Sequence, residues 1–336
     1  MGQNKKSILL SEHFDDIERV YSTAVLEKLE SAAGLDRTLY NKKAILENPD
    51  SFQHTEYIFS TWGMPSFDEK EIAAYFPALK CIFYAAGTVR YFAEPFLKCG
   101  IKVFSAWAAN AVPVAEYTTA QIILALKGFF ASSRLNKRSH KDARARFSEY
   151  PGVYDETVGI IGAGMIGKMV IERLNALHLK CLVFDPFLSD EKAEQLKVTK
   201  CSLEELFSKA FVVSNHLANN EQTKGMLDYT LFSLMRKNAV FINTGRGAQV
   251  IENDLVRHME NRPDITALLD VTDPEPPVAG HAFYKLDNCV LTPHIAGSSG
   301  NEVHRMAEYM AEEYRKYTAG EPCAYEVSLE MLKTMA

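Results

Sequence analysis

Two α/β domains, each a doubly wound parallel sheet, are what the sequence predicts, and three observations predict it. Short apolar runs alternate with longer amphipathic stretches along most of the chain, the pattern of parallel strands and their crossover helices. Residues 157–187 read strand, G-x-G-x-x-G, helix, strand and acid in unbroken order. At 336 residues the chain is too long for one ordinary core and suits two domains joined by helices.

Taken in order, residues 7–10 read as a first strand, followed by a helix over 17–32 whose apolar residues recur at helical spacing. Short strands at 37–40, 56–61, 80–84 and 102–105 follow, separated by helices. This first unit has no glycine-rich nucleotide turn, which suits it to closing over a small molecule rather than holding a nucleotide. Ala85-Ala86-Gly87-Thr88 follows a strand with small residues, and reads equally as an anion-binding nest of backbone N–H groups or as a plain turn. Residues 110–127 predict a long helix with Pro113 in its first turn and Glu116 near its positive end. It is the expected connection between domains.

The central stretch is the most informative. The buried-strand run Val158 to Ile161 ends at Gly162, which allows a tight turn. Gly164 lets the backbone approach a pyrophosphate, and Gly167 lets the following helix pack on the strand. That helix, read over 165–177, begins with Met165 and Ile166, whose N–H groups are unpaired and face the anion. A second strand, 180–184, delivers Asp185, 23 residues after Gly162. A carboxylate there accepts hydrogen bonds from a ribose diol and repels a 2′-phosphate, and Pro186-Phe187 add no cation. The reading is a Rossmann-like domain that binds NAD in preference to NADP.

Ser202 and Glu205 form a capping-box pair that opens another helix. Strands at 211–215, 240–242, 265–269 and 290–292 bring this sheet to roughly six, the number in two mononucleotide halves. A third long helix over 301–318 returns the chain to the first domain, ahead of an irregular tail. The expected division is 1–109 with 299–336, and 110–298.

Composition excludes several classes. A hydrophobic fraction of 47% with 24% charged residues is globular, and a net charge of −6 argues against a general nucleic-acid binder. Seven Lys and Arg between Lys127 and Arg146 are the local exception, and suit a solvated face or a subunit contact. Cysteines 81, 99, 181, 201, 289 and 323 are scattered without metal-type spacing, as expected of reduced thiols in a cytosolic protein. Behind Lys5 and Lys6 only Ile8-Leu9-Leu10 is apolar, too little for a signal peptide. Met1-Gly2 has Lys6 where a myristoylation motif wants Ser or Thr. With no run of membrane-spanning length, the expectation is a cytoplasmic protein without metal, membrane or nucleic-acid partners.

Three of the later strands end in polar residues, where ligands sit in open α/β sheets. Arg246 follows the strand at 240–242, Glu275 lies in Asp270-Val271-Thr272-Asp273-Pro274-Glu275-Pro276, and His294 lies in Thr292-Pro293-His294-Ile295-Ala296-Gly297. Singly, each has a bland reading: a surface ion pair, a solvated loop acid, a capped core histidine. Together, beyond a dinucleotide motif, they suit reduction of a 2-keto acid, which needs a hydride donor, a proton donor for the alkoxide and a cation to orient the carboxylate. A carboxylate partner favours the charged imidazole that delivers the proton.

On GIIGAGMIG, FDPF, NTGRGAQVIENDL, LLDVTDPEPP and LTPHIAG, in that order, the chain resembles the D-isomer-specific 2-hydroxyacid dehydrogenases from about Gly87 to Gly297. The resemblance implies Arg246 as substrate-orienting arginine, Glu275 as partner acid and His294 as acid/base. It further implies that Asp270 bonds the nicotinamide carboxamide, that Asn243, Thr244 and Gly245 line the nicotinamide, and that Gly297 and the His216 and Thr223 loop belong to the cofactor site. A substrate domain made from both chain ends, a hinged cleft and a homodimer are also implied. Two places depart from the pattern. Where His-x-Pro-x-Thr is usual, the chain reads His216-Leu217-Ala218-Asn219-Asn220, which predicts a looser cofactor-side loop. The glycine-rich substrate loop becomes Ala86-Gly87-Thr88-Val89-Arg90, opposite Trp62-Gly63-Met64, so Arg90 and Trp62 either shape the pocket for a larger or doubly charged acid or are an exposed Arg and a packed Trp. Glu275 disfavours formate dehydrogenases, which carry an amide there. A phosphite-oxidising relative and a dinucleotide-sensing corepressor are the alternatives.

Overall fold

The computed structural model describes residues 6–333; Met1-Gly2 and Lys5 lie outside the described residues. The described residues divide into two compact units, 6–110 with 298–333, and 111–297. The strands, in chain order, are β1 (Ser7–Leu10), β2 (Leu35–Tyr40), β3 (Tyr57–Ser60), β4 (Cys81–Tyr84), β5 (Lys102–Ser105), β6 (Thr157–Ile161), β7 (Lys180–Phe184), β8 (Thr199–Lys200), β9 (Val212–Asn215), β10 (Val240–Asn243), β11 (Thr266–Leu269), β12 (Cys289–Leu291) and β13 (Glu326–Val327).

In the first unit the sheet order is β13-β5-β4-β3-β1-β2, all parallel except β13, which pairs antiparallel with β5 through Glu326↔Phe104. Its five parallel strands have the flavodoxin-like order, which reverses between β1 and β3. Side chains alternate between the two faces: Leu9, Phe59, Phe83 and Phe104 enter one buried cluster, and Ile8, Ile58, Ile82 and Val103 the other. On the first face Phe83 stacks on Phe59 at 5.3 Å and on Phe104 at 4.9 Å, and Tyr314 of the helix His304–Ala319 closes edge-on over them.

The second unit has a wholly parallel sheet in the order β12-β11-β10-β9-β6-β7-β8. Counted from β6, this is the doubly wound order with a seventh strand added, and it reverses between β6 and β9. Val158, Ile160 and Val183 pack with Val170 and Leu174 on one face. Ile161, Val213 and Phe241 pack with Phe207 and Phe232 on the other. Both faces are therefore covered, the condition under which parallel strands read as continuous apolar runs.

Several boundaries differ from the sequence expectation. The first helix is two, Phe14–Val20 and Thr23–Ala33, because the Ser22 hydroxyl accepts from Val25 N–H and restarts the helix. The long connecting helix is Trp107–Leu126, three residues earlier at its start, so Pro113 lies inside it and Glu116 is past its first turns. There Glu116 sits 3.5 Å from the Arg173 guanidinium. The basic stretch forms two short helices, Phe129–Asn136 and His140–Phe147. The glycine-motif helix ends at Leu174, and the tail contains β13. Ser202 accepts from Glu205 N–H at 3.2 Å, while the Glu205 carboxylate takes Lys209 instead of completing the box. Among the described residues no helix is long and apolar enough to cross a membrane.

Candidate active site

The dinucleotide end is built where the second sheet reverses. Gly162 leaves β6 with φ 89°, and a Cβ there would lie 2.7 Å from the carbonyl oxygen of His216, which follows β9. A Cβ on Gly167 would overlap the Gly162 carbonyl, so the helix Met165–Leu174 sits directly on the turn. Gly164 is the opposite case: nothing lies within 4 Å of its would-be Cβ. No side chain among the described residues caps this helix, leaving the N–H groups of its first turn, Met165 and Ile166 included, for an anion. Asp185 ends β7 with its Oδ2 accepting from Ala163 N–H at 2.7 Å and its Oδ1 from Phe187 N–H at 2.8 Å. Each oxygen keeps a lone pair for a ribose hydroxyl. An open cradle before Gly164, free helix donors and a fixed carboxylate fit a dinucleotide.

The cofactor-side loop after β9 is held by side chains where proline is absent. The Thr223 hydroxyl donates to Ala218 O at 2.6 Å, and Gln249 Nε2 donates to Leu217 O at 2.8 Å and Ala218 O at 3.0 Å. His216 is buried, with Nε2 2.9 Å from Ser214 Oγ, and burial lowers its pKa to about 4. It is therefore neutral at physiological pH.

Arg246, Glu275 and His294 follow β10, β11 and β12 respectively. His294 Nδ1 lies 2.6 Å from Glu275 Oε1, and the two side chains are 47% and 40% exposed. The turn carrying His294 is bound tightly from below. Asp270, at the end of β11 and 3% exposed, accepts from Thr292 Oγ1 and Ile295 N–H on Oδ1 and from Ala296 N–H on Oδ2, at 2.6 to 2.9 Å. Its carbonyl accepts from His294 N–H at 3.1 Å. These bonds hold His294 at φ 54°, a left-handed conformation that costs a β-carbon-bearing residue of order 1–3 kcal/mol. The loop carrying Glu275 is held by Glu252, whose carboxylate accepts from Asp273 N–H at 2.9 Å.

Arg246 Nη1 donates to Gly245 O at 2.7 Å, and the other N–H groups of its guanidinium have no protein partner among the described residues. Burial lowers the guanidinium pKa while the nearby Glu275 raises it. Thr244 Oγ1 is buried 3.0 Å from Thr118 Oγ1.

The remaining expected residues lie in the first unit. Ala86 is buried, and the N–H groups of Gly87 and Thr88 have no partner among the described residues. Trp62 follows β3, at that sheet's own reversal point, and is half-buried under the Arg19 guanidinium, 4.9 Å from its ring centroid. Arg90 is exposed. The structure thus joins Glu275 to His294, places Arg246 within electrostatic reach of Glu275, and sets Asp270 under the histidine turn. Sequence reading missed Arg19, Asn215, Gln249 and Glu252, since nothing local in the sequence signals which distant ring, carbonyl or N–H such a side chain will meet.

Residues 119–296, just over half of the chain, match the family model "D-isomer specific 2-hydroxyacid dehydrogenase, NAD binding domain". The chain belongs to this family, and NAD is the dinucleotide of its second unit. It is 30% identical over 236 residues to the D-3-phosphoglycerate dehydrogenase of Archaeoglobus fulgidus, covering 70% of this chain and 44% of that protein. The Bacillus subtilis enzyme of the same name is 30% identical over 234 residues, 69% of this chain and 44% of that one. The chain therefore spans less than half the length of these relatives. Among solved structures, TT0316 of Thermus thermophilus superposes with TM-score 0.70 at 25% identity over 96% of this chain and all of that one. D-mandelate dehydrogenase of Rhodotorula graminis superposes with TM-score 0.80 at 16% identity over 97% and 98%, a likeness of fold alone.

Proposed function

We propose that this protein is an NAD-dependent D-2-hydroxyacid dehydrogenase that interconverts a 2-keto acid and a D-2-hydroxy acid. The observation that carries the reading is the 2.6 Å contact of His294 Nδ1 with Glu275 on a strand-end loop of the NAD-binding domain. Bound NADH supplies the hydride to the keto carbon. Glu275 accepts from Nδ1–H and so fixes the ring orientation, leaving Nε2 as the nitrogen that gives its proton to the alkoxide oxygen. In the oxidative direction neutral Nε2 takes the hydroxyl proton. The free N–H groups of Arg246 hold the substrate carboxylate in bidentate fashion.

Ala86, Gly87 and Thr88 offer backbone donors to the substrate, with Trp62 and Arg90 setting the size and charge of the acid accepted. Asp270, besides seating the histidine turn, receives the nicotinamide carboxamide, and Thr244, Gly245 and Gly297 line that side of the cofactor site. All six cysteines are free, in keeping with a reducing cytoplasm. Exposed Phe129 and Phe147, among the basic residues of their helices, support a homodimer, to be checked by light scattering in solution.

The test is NADH oxidation at 340 nm with glyoxylate, hydroxypyruvate, 3-phosphohydroxypyruvate, pyruvate, phenylpyruvate, oxaloacetate and 2-ketoglutarate. At least one acid should turn over, and His294→Ala should lower kcat about 10²–10⁴-fold with NADH affinity retained. Turnover unaffected by His294→Ala would sink the mechanism.

A further inference from the structure

The Gln249 side chain bonds both the loop after β9 and the turn carrying Arg246. It is fully buried in the short 3₁₀ turn Gly247–Gln249, and its own carbonyl accepts from Leu227 N–H at 3.0 Å. Its Nε2 spends both hydrogens on the carbonyls of Leu217 and Ala218, at 2.8 and 3.0 Å. Its Oε1 accepts from Asn215 Nδ2 at 2.5 Å and from Arg246 N–H at 3.3 Å. Asn215 in turn donates to Asn243 Oδ1, which accepts from Gly245 N–H, while Asn243 Nδ2 donates to Arg246 O at 3.1 Å. Gly245 admits these amides because a Cβ there would lie 3.0 Å from Gln249 Oε1 and 3.1 Å from Asn215 Nδ2.

We propose that Gln249 is a positioning residue that couples the dinucleotide loop to Arg246, so that one amide sets the register of both halves of the site. The reading rests on the assignment of Arg246 to the substrate carboxylate. Residues 217–222, Leu-Ala-Asn-Asn-Glu-Gln, contain no proline, so side-chain bonds shape their backbone: Thr223 and Asn220 brace the loop from within, and Gln249 ties it to the Arg246 turn. Each donor and acceptor of the Gln249 amide is spent, so moving the loop leaves a buried polar group unpaired unless the Arg246 turn follows. Seating the dinucleotide against Leu217 and Ala218 therefore favours the arrangement in which Arg246 N–H is held.

The experiment uses the whole 336-residue chain, with NADH as probe. Gln249→Met keeps length and volume and removes all four bonds. It should raise the NADH Kd, measured by fluorescence titration, and the keto-acid KM about tenfold each, with kcat at saturation within about threefold. Hydrogen exchange in the free protein should quicken at both residues 217–223 and the Arg246 amide. Gln249→Glu keeps the acceptor and loses both donors, so it breaks the loop bonds directly: NADH Kd rises, the coupling carries the loosening to the Arg246 amide and the keto-acid KM, and an Arg246 amide that stays slow would overturn the proposal. Unchanged Kd and KM with only a lowered Tm, or faster exchange on one side alone in Gln249→Met, would overturn the coupling. Wild-type protein that binds NADH yet reduces no keto acid refutes the proposed activity instead, and the titration and exchange still decide the role of Gln249.

Discussion

The same one-carbon change at two glycines of the nucleotide turn should give opposite phenotypes. Gly167→Ala puts a Cβ into the carbonyl of Gly162, a backbone atom that cannot swing away. Overpacking against backbone costs about 1–3 kcal/mol, and at about 2 kcal/mol a unit of this size loses roughly 4–8 °C of Tm. Gly164→Ala meets no protein atom within 4 Å, so its Tm should stay within about 1–2 °C of wild type. On the assignment of Gly164 as the pyrophosphate cradle, the empty space before it is where the anion sits. A methyl group there displaces the anion by about an ångström and weakens one charge-assisted hydrogen bond, worth about 1.5–3 kcal/mol, or roughly 10- to 150-fold in NADH Kd. Circular-dichroism melts without cofactor and a fluorescence titration with NADH give both numbers for both variants. A folded Gly164→Ala protein that binds NADH within twofold of wild type would refute the cradle assignment. A Gly167→Ala protein that melts with wild type would refute the packing.

Two further outcomes follow from the bonds and burial around the site. Asp270→Asn can keep its Oδ1 contacts to Thr292 and Ile295 but turns a donor towards Ala296 N–H, leaving a buried amide unpaired at a cost of about 1–3 kcal/mol. Tm should fall and kcat should fall with it as the His294 turn loosens, and an unchanged Tm would show that the turn is held by other means. Burial lowers both His216 and His258 from the ordinary 6.5 to about 4, so between those values the unfolded chain binds protons that the native chain does not. Stability from these groups is complete above pH 6.5 and falls by up to about 1.4 kcal/mol per pH unit per histidine as pH drops towards 4, then levels off. Urea unfolding of wild type and His258→Phe at pH 7.5, 6 and 5 should show the variant losing less by that slope, and parallel pH profiles would contradict it.

The sequence by itself determined the second sheet and its ligand edge. Buried parallel strands must be apolar on both faces, so Val158–Ile161 and Val240–Ile242 announce themselves, and the glycine spacing at 162, 164 and 167 is dictated by one local turn. Arg246, Glu275 and His294 could be read as candidates because each lies three to six residues beyond the end of a strand. Short edge elements were not: Thr199–Lys200 and Glu326–Val327 are two-residue strands whose only cause is the neighbour they pair with. The first helix was read through Ser22 because its apolar spacing continues on both sides, although the hydroxyl caps a new start. Tertiary structure alone decided which polar residues do the holding. Gln249, Asn215, Glu252 and the loop-binding side of Asp270 act on partners 21 to 34 residues away, distances over which sequence spacing carries no geometry. A buried amide is identified by the donors and acceptors around it, and those are brought together only when the strands align.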